Sequence, residues 1–363
     1  MEIKEYKCPN CGGSVKFDSS IQKMKCPYCD TEFEIEALSD YQKQLAVPEK
    51  DNMSKLDTSE AGAAWANEEL VDLSTGSCPS CGSELIGDAN TIATVCPCCG
   101  NTQIVQKRIQ GLMKPEYVLP FQLEKTVAVD ALKQFYKNKR LLPNFFKEEN
   151  QINNIQGLYV PFWLYDAKSS GNATFRATKI KKWSSGSYNY TKTEYYSVYR
   201  EGRLDFQKVP VDGSTRMNDD YMDAIEPYDY GKLKDFQSDY LSGYIAEKYD
   251  IDVQGSKERA IKRMKNSLED QFAKSAQGYS SVRKERSSVT VDNGKVSYSL
   301  LPVWILNTKY QEENYQFMMN GQSGRLIGKL PVDRGKAKRY RLMFLFGFGA
   351  FFTLIIELLR TFL

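Results

Sequence analysis

Cysteine is the residue type whose spacing in this chain most clearly implies a chemistry. All nine cysteines of the 363 residues lie between positions 8 and 99, and eight of them form C-x-x-C pairs. Fourteen residues separate the two pairs of each set, and the second set begins 70 residues after the first. The two sets are Cys8, Cys11, Cys26 and Cys29, then Cys78, Cys81, Cys96 and Cys99. This repeat predicts two metal sites of four thiolates each.

Two such pairs joined by a short hairpin are typical of a zinc ribbon. Zinc takes four ligands in a tetrahedron, and each C-x-x-C knuckle presents two thiolates on one tight turn. Fourteen residues leave room for a strand, a turn and a returning strand between the knuckles. We therefore expect two structural zinc ions, because units this small depend on metal for folding. The alternative, a reactive redox pair, needs no second pair at a fixed distance.

The ninth cysteine, Cys98, lies inside the last knuckle. It occupies the position that Tyr28 holds in the first set, so we interpret it as a spare thiol rather than a ligand. The sequence leaves open an exchange in which Cys98 takes the place of Cys99.

The rest of the chain lacks the residues that common catalytic sites need. It contains no histidine, which excludes nucleophile–histidine–acid triads and histidine-ligated metals. It also lacks the G-x-x-x-x-G-K-S/T loop that binds nucleotide phosphates. Acidic groups such as Asp219-Asp220 and Glu226 with Asp229 are more typical of solvated loops or helix caps than of a catalytic metal site. We therefore predict a protein that is not an enzyme and has no catalytic or cofactor-binding residues.

Charge divides the chain into an acidic N-terminal part and a basic C-terminal part. Residues 1–113 hold 10 Lys and Arg against 17 Asp and Glu, whereas the remaining 250 residues hold 39 against 29. The first ribbon, counted over residues 1–40, has 5 basic against 8 acidic residues. Phosphate binding requires a basic surface. The charge therefore favours a protein as the partner of the ribbons. Nucleic acid is the alternative partner, and the excess of acidic residues disfavours it.

Composition divides the chain into five segments. We expect zinc ribbons at 1–36 and 74–110, joined by an acidic linker at 37–73 with a short helix near Ala61–Leu70. An α+β domain with an antiparallel sheet follows at 114–335, and a transmembrane helix ends the chain at 342–363.

Periodicity and turn residues predict the elements of the α+β domain. Helices are expected at 126–139, 232–248 and 256–275, and strands at 158–165 and 299–306. The Tyr-rich segment 171–211 reads as about three strands that turn near 184–187 and 201–202. Further turns are expected at Asn293-Gly294 and between Asn320 and Gly324, because Asn-Gly tolerates positive φ. Trp163 and Trp304 are expected in the core.

The C-terminal segment is apolar on every side. Residues 342–356 contain no charge, and a helix over 342–363 would be about 33 Å long, enough to cross a hydrocarbon core of roughly 30 Å. Glu357 and Arg360 lie three residues apart and would pair near the far interface. The alternatives are a buried core helix or an interfacial helix, and an interfacial helix would show a polar face that this segment lacks.

Basic residues before this segment predict its orientation. Residues 325–341 hold seven Lys and Arg and one Asp, which places the bulk of the protein in the cytoplasm. The same cluster should attract anionic lipid. The charged start, Met1–Glu5, has no apolar segment of the signal-peptide type. We therefore expect a cell-membrane protein with a single C-terminal pass.

Several short motifs resemble those of a known bacterial family. Its members pair N-terminal ribbons similar to that of transcription factor IIB with a middle domain of uncharacterised type. The resemblance covers most of residues 1–335 and rests on these segments: Tyr117-Val-Leu-Pro-Phe121, Tyr159-Val-Pro-Phe-Trp163, Glu226-Pro-Tyr-Asp229, Tyr240-Leu-Ser-Gly243, Ala246-Glu-Lys-Tyr-Asp250, Leu301-Pro-Val-Trp304 and Asn320-Gly-Gln-Ser-Gly324.

The resemblance implies a role at the membrane. Some relatives resemble components of membrane-stress systems that work with flotillin-like (SPFH-domain) and phage-shock-type proteins, which implies an adaptor at the cytoplasmic face. Members are often labelled helicase-like, but no nucleotide-binding motif in this sequence supports that label. A non-enzymatic, membrane-anchored zinc-ribbon adaptor is thus the expected function, and a membrane-tethered nucleic-acid-binding protein is the alternative.

Overall fold

The computed structural model describes residues 6–10, 13–46, 56–57, 61–65, 73–87, 95–107 and 113–362. Its strands are, in chain order, β1 (Tyr6–Lys7), β2 (Ser14–Asp18), β3 (Lys23–Lys25), β4 (Glu32–Phe33), β5 (Ser74–Ser77), β6 (Glu84–Gly87), β7 (Val105–Lys107), β8 (Tyr117–Val118), β9 (Gln156–Ser185), β10 (Tyr188–Asp212), β11 (Lys234–Asp235), β12 (Ile245–Glu247), β13 (Ser281–Tyr310), β14 (Glu313–Asn320) and β15 (Leu326–Gly328). Its helices are α1 (Ile35–Ala46), α2 (Lys125–Lys137), α3 (Glu149–Ile152), α4 (Asp219–Ile225), α5 (Val253–Ser275) and α6 (Arg334–Phe362).

Contacts group the chain into two compact units. The first combines Met1–Leu56, Ala167–Phe206 and Ile261–Gly294, and the second combines Asp57–Asp166, Gln207–Ala260 and Lys295–Leu363. Four long elements, β9, β10, α5 and β13, each continue from one unit into the other. Residues expected to form one α+β domain therefore contribute to both units.

The first unit begins with a small antiparallel sheet in the order β1-β2-β3-β4. Its core holds five buried side chains, namely Cys8, Val15, Met24, Cys26 and Leu38. Leu38 belongs to α1, which lies at the start of the expected linker. The sequence analysis missed this helix because it treated the whole of 37–73 as an acidic linker, whereas α1 carries apolar residues that include the buried Leu38. Of the short helix expected near Ala61–Leu70, residues 61–65 are described and are not helical, and residues 66–70 lie outside the described residues.

The long strands β9 and β10 form a hairpin, and α5 packs on its base within the first unit. Phe175, Val198, Leu268 and Phe272 belong to one buried cluster there. The expected turn near 184–187 is confirmed, since β9 ends at Ser185 and β10 begins at Tyr188. The expected turn at 201–202 is wrong because β10 runs through it. Gly202 instead allows the ring of Phe272 to approach, and an added Cβ would lie 3.3 Å from that ring.

A large mixed sheet dominates the second unit. Its strands follow the order β11-β8-β13-β9-β12-β6-β5-β7, with β14 on β13 and β15 on β14. The expectation of an antiparallel sheet is only partly correct, since β13 pairs with β8 and β12 pairs with β9 in parallel. Parallel neighbours need long crossover connections. Such long connections are present here, because β8 lies far from β13 along the chain and β9 lies far from β12.

The strands of the second predicted ribbon are part of this large sheet. Strand β6 pairs with β12 through Ala246 opposite Ile86 and Glu247 opposite Leu85. Strand β5 then pairs with both β6 and β7. The strands next to the second cysteine group are therefore continuous with the main sheet, whereas those next to the first group form a four-stranded sheet of their own.

Two buried clusters fill the second unit. One contains the cysteines of the second ribbon together with aliphatic residues of β9 and β13, and the other packs α2 against β14. Trp163 and Trp304 are buried as expected, and each indole Nε1 donates a hydrogen bond, to the carbonyls of Ile251 and Leu123 at 2.9 and 3.1 Å. Helices α2 and α5 and the turn between β14 and β15 also match their predictions.

Two further sequence predictions are wrong, one in each unit. The helix expected at 232–248 is replaced by short 3-10 turns around β11 and β12, because Gly243 adopts φ +77° and Tyr244 stacks on Phe121 with ring centroids 4.3 Å apart. The hairpin turn expected at Asn293-Gly294 is absent, since β13 runs through these residues. An added Cβ at Gly294 would lie 2.0 Å from Leu56 Cδ2, so this glycine permits a close contact within the first unit.

Replacement of Phe317 by alanine should destabilise the second unit by about 3–5 kcal/mol, the usual cost of an aromatic cavity. Phe317 is buried, and its ring meets those of Tyr136 and Phe146 edge-on at 5.5 and 6.3 Å. The measurement is urea unfolding in mild detergent, followed by tryptophan fluorescence. The control is Val127→Ala on the exposed side of α2, which should change stability by less than about 0.5 kcal/mol. Equal effects of the two changes would contradict this assignment of the core.

Candidate metal centres

The first centre lies between the knuckles of the first ribbon. Cys8 follows β1 and Cys26 follows β3, and the sulfurs of Cys8, Cys26 and Cys29 all lie within 4.8 Å of one another. The backbone closes both turns, since Cys8 N–H donates to Gly13 O at 2.7 Å and Cys26 N–H donates to Thr31 O at 3.0 Å. The fourth predicted ligand, Cys11, lies outside the described residues.

The second centre has all four predicted ligands in place. The sulfurs of Cys78, Cys81, Cys96 and Cys99 lie within 4.8 Å of one another. Each knuckle repeats the same backbone pattern, in which the N–H of the following glycine donates to the carbonyl of the first cysteine at 2.8 Å. These glycines, Gly82 and Gly100, have φ of +72° and +79°. Positive φ is strained for other residues, so the turn that presents the thiolates depends on glycine.

Sulfur separations fit a metal ion rather than a disulfide. The closest pairs are Cys8–Cys29 and Cys78–Cys99, both at 3.6 Å, and Cys81–Cys96 at 3.7 Å. A disulfide needs about 2.05 Å. A tetrahedron with zinc–sulfur bonds of about 2.3 Å has sulfurs about 3.8 Å apart. The described cysteines therefore form two groups that could each hold a metal ion, as the spacing predicted.

Cys98 lies beside the second centre and outside its four-sulfur group. Its Sγ lies 3.3 Å from Ser83 Oγ and 3.6 Å from Glu247 Oε1. A hydrogen bond from the Cys98 thiol lowers the pKa of Cys96 to about 5, and the same bond, with burial, raises the pKa of Cys98 well above its usual range. The described geometry thus groups Cys99 with the other three cysteines and makes Cys98 a donor to one of them.

Two charged residues beside this centre escaped the sequence analysis. Glu247, on β12, is fully buried and accepts a hydrogen bond from Ser83 Oγ at 3.2 Å, and burial raises its pKa to about 7. Arg216 donates to the carbonyls of Cys81 and Gly82 at 3.0 and 2.9 Å and forms an ion pair with Asp250. In the sequence, the only indication of either residue was the family motif Ala246–Asp250, which contains Glu247. By pattern and composition, both residues resemble the ordinary charged residues of a protein surface.

Sequence comparison places the chain in a family. No family model matches it. It is 35% identical over 334 residues to the Bacillus subtilis (strain 168) protein named Uncharacterized protein YdjG, and the match covers 92% of each chain. The chain belongs to the YdjG family. No solved structure matches it.

One of the acidic residues considered in the sequence, Asp219, belongs to an ion-pair network in the second unit. Arg259 contacts three carboxylates, those of Asp212, Asp219 at 3.0 Å and Asp223 at 2.8 Å. Asp212 is buried, and burial raises its pKa to about 6 although Arg259 opposes the shift. The guanidinium occupies the position between the carboxylates, so this cluster is a structural charge network.

Each four-cysteine centre should lose its metal independently of the other. Cys81→Ser should reduce the metal content from two ions per chain to about one, because a structural ion is held by four thiolates together. Cys98→Ala should retain both ions, since Cys98 is outside the group. Elemental analysis after incubation with a competing chelator measures this directly. Loss of one ion from Cys98→Ala, with retention in Cys99→Ser, would show that Cys98 is the ligand.

The buried carboxyl of Asp212 should make stability fall as the pH rises. Its pKa is about 6 in the folded chain and near 3.8 when exposed, so the folded state binds more protons between these values. That contribution is complete below the unfolded pKa and is lost as the pH passes 6. Between pH 5 and pH 8 the wild type should lose about 1.4 kcal/mol relative to Asp212→Asn. Urea unfolding at several pH values tests this, and parallel curves for the two proteins would contradict it.

Proposed function

We propose that this protein is a non-enzymatic adaptor, anchored in a membrane by α6, whose zinc ribbons dock a protein partner at the cytoplasmic face. The observation that carries the proposal is the exposure of α6. Within Arg334–Glu357 of this helix, an 18-residue stretch has a mean hydropathy of 1.5, and none of it is buried by the described chain.

A hydrocarbon environment explains the composition of α6. The helix has 29 residues and is about 44 Å long, more than a bilayer core of roughly 30 Å. Phe346 is 74% exposed and Met343 is 68% exposed, and the other large side chains described between Leu342 and Ile356 are 37–63% exposed. Burial of each such side chain is worth about 1.5–3 kcal/mol, so a bilayer supplies a large stabilisation that water does not. The basic residues at 334–341 precede the apolar part and favour a cytoplasmic location for the rest of the chain.

Zinc is the metal we infer for both centres. The donor set consists of thiolates at tetrahedral separations, and the chain has no histidine to offer. Such sets select zinc or iron, and twin closed C-x-x-C knuckles favour a structural zinc ion. Cys8, Cys11, Cys26 and Cys29 would hold one ion, and Cys78, Cys81, Cys96 and Cys99 would hold the other. The ions would cross-link hairpins that are too small to be stable alone.

The first ribbon is the docking surface that the structure favours. It exposes three large apolar side chains, with Tyr28 at 74%, Phe17 at 50% and Ile21 at 36%. Exposed aromatic residues of this kind are typical anchors of protein interfaces. The excess of acidic residues on the same ribbon disfavours nucleic acid. The family resemblance supports SPFH-domain or phage-shock-type membrane proteins as partners.

The test is co-purification of full-length protein from its native membrane in mild detergent. Wild-type protein should bring down an SPFH-domain or phage-shock-type protein. The double variant Phe17→Ser and Tyr28→Ser should recover at least tenfold less of it, because two exposed anchors are removed while the ligands remain. Point changes are preferable to deletion of residues 1–110, which would remove β5, β6 and β7 from the large sheet.

The matched control is Val127→Ser, which alters an exposed apolar residue outside the ribbons. It should retain the partner, and all variants should retain two zinc ions. Equal recovery by the double variant would show that the ribbon is not the docking surface. Salt-sensitive recovery of nucleic acid instead of these proteins would favour the alternative function, and extraction of the intact chain without detergent would contradict membrane anchoring.

A further inference from the structure

We propose that the outer end of the β9–β10 hairpin is a second membrane-contact site, which inserts aromatic side chains among the headgroups of an anionic bilayer. This inference rests on the proposed anchoring by α6. We call residues 179–192 the hairpin tip. It contains the end of β9, the turn and the beginning of β10.

Nothing in the described chain covers the hairpin tip. Every residue from 180 to 193 is exposed, on both faces of the two-stranded ribbon. Four of these are large and apolar or aromatic, namely Ile180, Trp183, Tyr188 and Tyr190. Tyr188 is 71% exposed and Trp183 is 49% exposed. Tryptophan and tyrosine are amphipathic and concentrate at the interface between a bilayer and water.

The aromatic residues of the tip share one face of the hairpin. Side chains alternate along a strand, so Trp183 lies on the same face as Lys181, and Tyr190 lies on the same face as Tyr188 and Lys192. Trp183 and Tyr190 stack with ring centroids 5.4 Å apart and an interplanar angle of 11°. Because these two rings are in contact, the residues on their faces, Lys181, Trp183, Tyr188, Tyr190 and Lys192, all lie on one face of the hairpin. Aromatic rings and lysines are thus presented together, as interfacial segments present them.

Charge on the tip complements an anionic surface. Residues 179–192 contain four lysines and no Asp or Glu. Lys192 pairs with Glu194 at 2.7 Å, and Lys179 lies over the rings of Tyr196 and Tyr279 at 5.4 and 5.3 Å. Lys181 and Lys182, nearest to Trp183, are both exposed. Basic residues near a bilayer are attracted by anionic lipid, and α6 would hold the hairpin at a high local concentration near that surface.

Lipid fits this surface better than single-stranded nucleic acid. A stacking platform for bases needs free ring faces. In the tip, Trp183 and Tyr190 cover one face of each other. Headgroup insertion needs no free face, because the ring edges and the tyrosine hydroxyls make the contacts. The exposed Ile180 also favours an apolar environment over a polar nucleic acid backbone.

The test uses full-length protein in nanodiscs made with or without brominated phosphatidylglycerol, which quenches tryptophan at short range. Trp183→Phe gives the contribution of Trp183 by difference, since the other three tryptophans, Trp65, Trp163 and Trp304, are the same in both proteins. The Trp183 emission should fall at least twofold in brominated anionic discs. The double variant Lys181→Glu and Lys182→Glu should lose most of this quenching. The charge-matched control, Lys147→Glu with Lys234→Glu, should retain it.

The outcomes separate this inference from the proposed anchoring. Protein that enters the disc but shows an unquenched Trp183 would overturn the tip contact alone. Trp183 emission that responds to a single-stranded oligonucleotide and not to brominated lipid would assign the tip to nucleic acid. Protein that fails to enter any disc would overturn the anchoring by α6, and this inference with it.

Discussion

The structure around both cysteine groups depends on one constraint: their described sulfurs lie within 4.8 Å of one another, where a single cation could bind them. The hairpins that carry these sulfurs have described strands of only two to five residues, and the small core of the first one includes two of its own cysteines, Cys8 and Cys26. Their backbone turns nevertheless place sulfurs at the separations that a tetrahedral ion requires. In the second centre this constraint reaches further, because β6 continues the large sheet through β12. A metal bound there therefore fixes the edge of a sheet as well as a loop.

The surroundings of the two centres differ accordingly. Around the second, Arg216 holds the carbonyls of one knuckle, and Ser83 and Glu247 surround the thiol of Cys98. These are the polar partners that orient metal ligands in proteins. The first centre has a smaller shell, built from its own sheet and α1, and it leaves aromatic residues exposed. One ribbon is thus built into the scaffold, and the other presents a surface.

A feature could be predicted from the sequence when the residues that determine it lie close together along the chain. The cysteine groups, α2, α5 and the buried Trp163 and Trp304 follow from spacing, periodicity and residue type, all of which are short-range. The parallel pairing of β9 with β12 could not be predicted, because it joins Leu158 to Ile245 across long connections. Gly294 illustrates the same limit: Asn-Gly favours a turn locally, but the contact with Leu56 decides its role. The burial of Glu247 likewise depends on tertiary packing alone.

The interleaved connectivity of the first unit has a consequence for its biosynthesis. Residues up to Leu56 leave the ribosome about 200 residues ahead of the stretch that begins at Ile261, which belongs to the same unit. At roughly 5–20 residues per second, that delay is about 10–40 s. The stretch Ala167–Phe206 is synthesised during this interval, so the newborn N-terminal stretch lacks both of its partners at first and lacks Ile261–Gly294 until the end. A cation captured by its cysteines would hold the small hairpin together while translation continues.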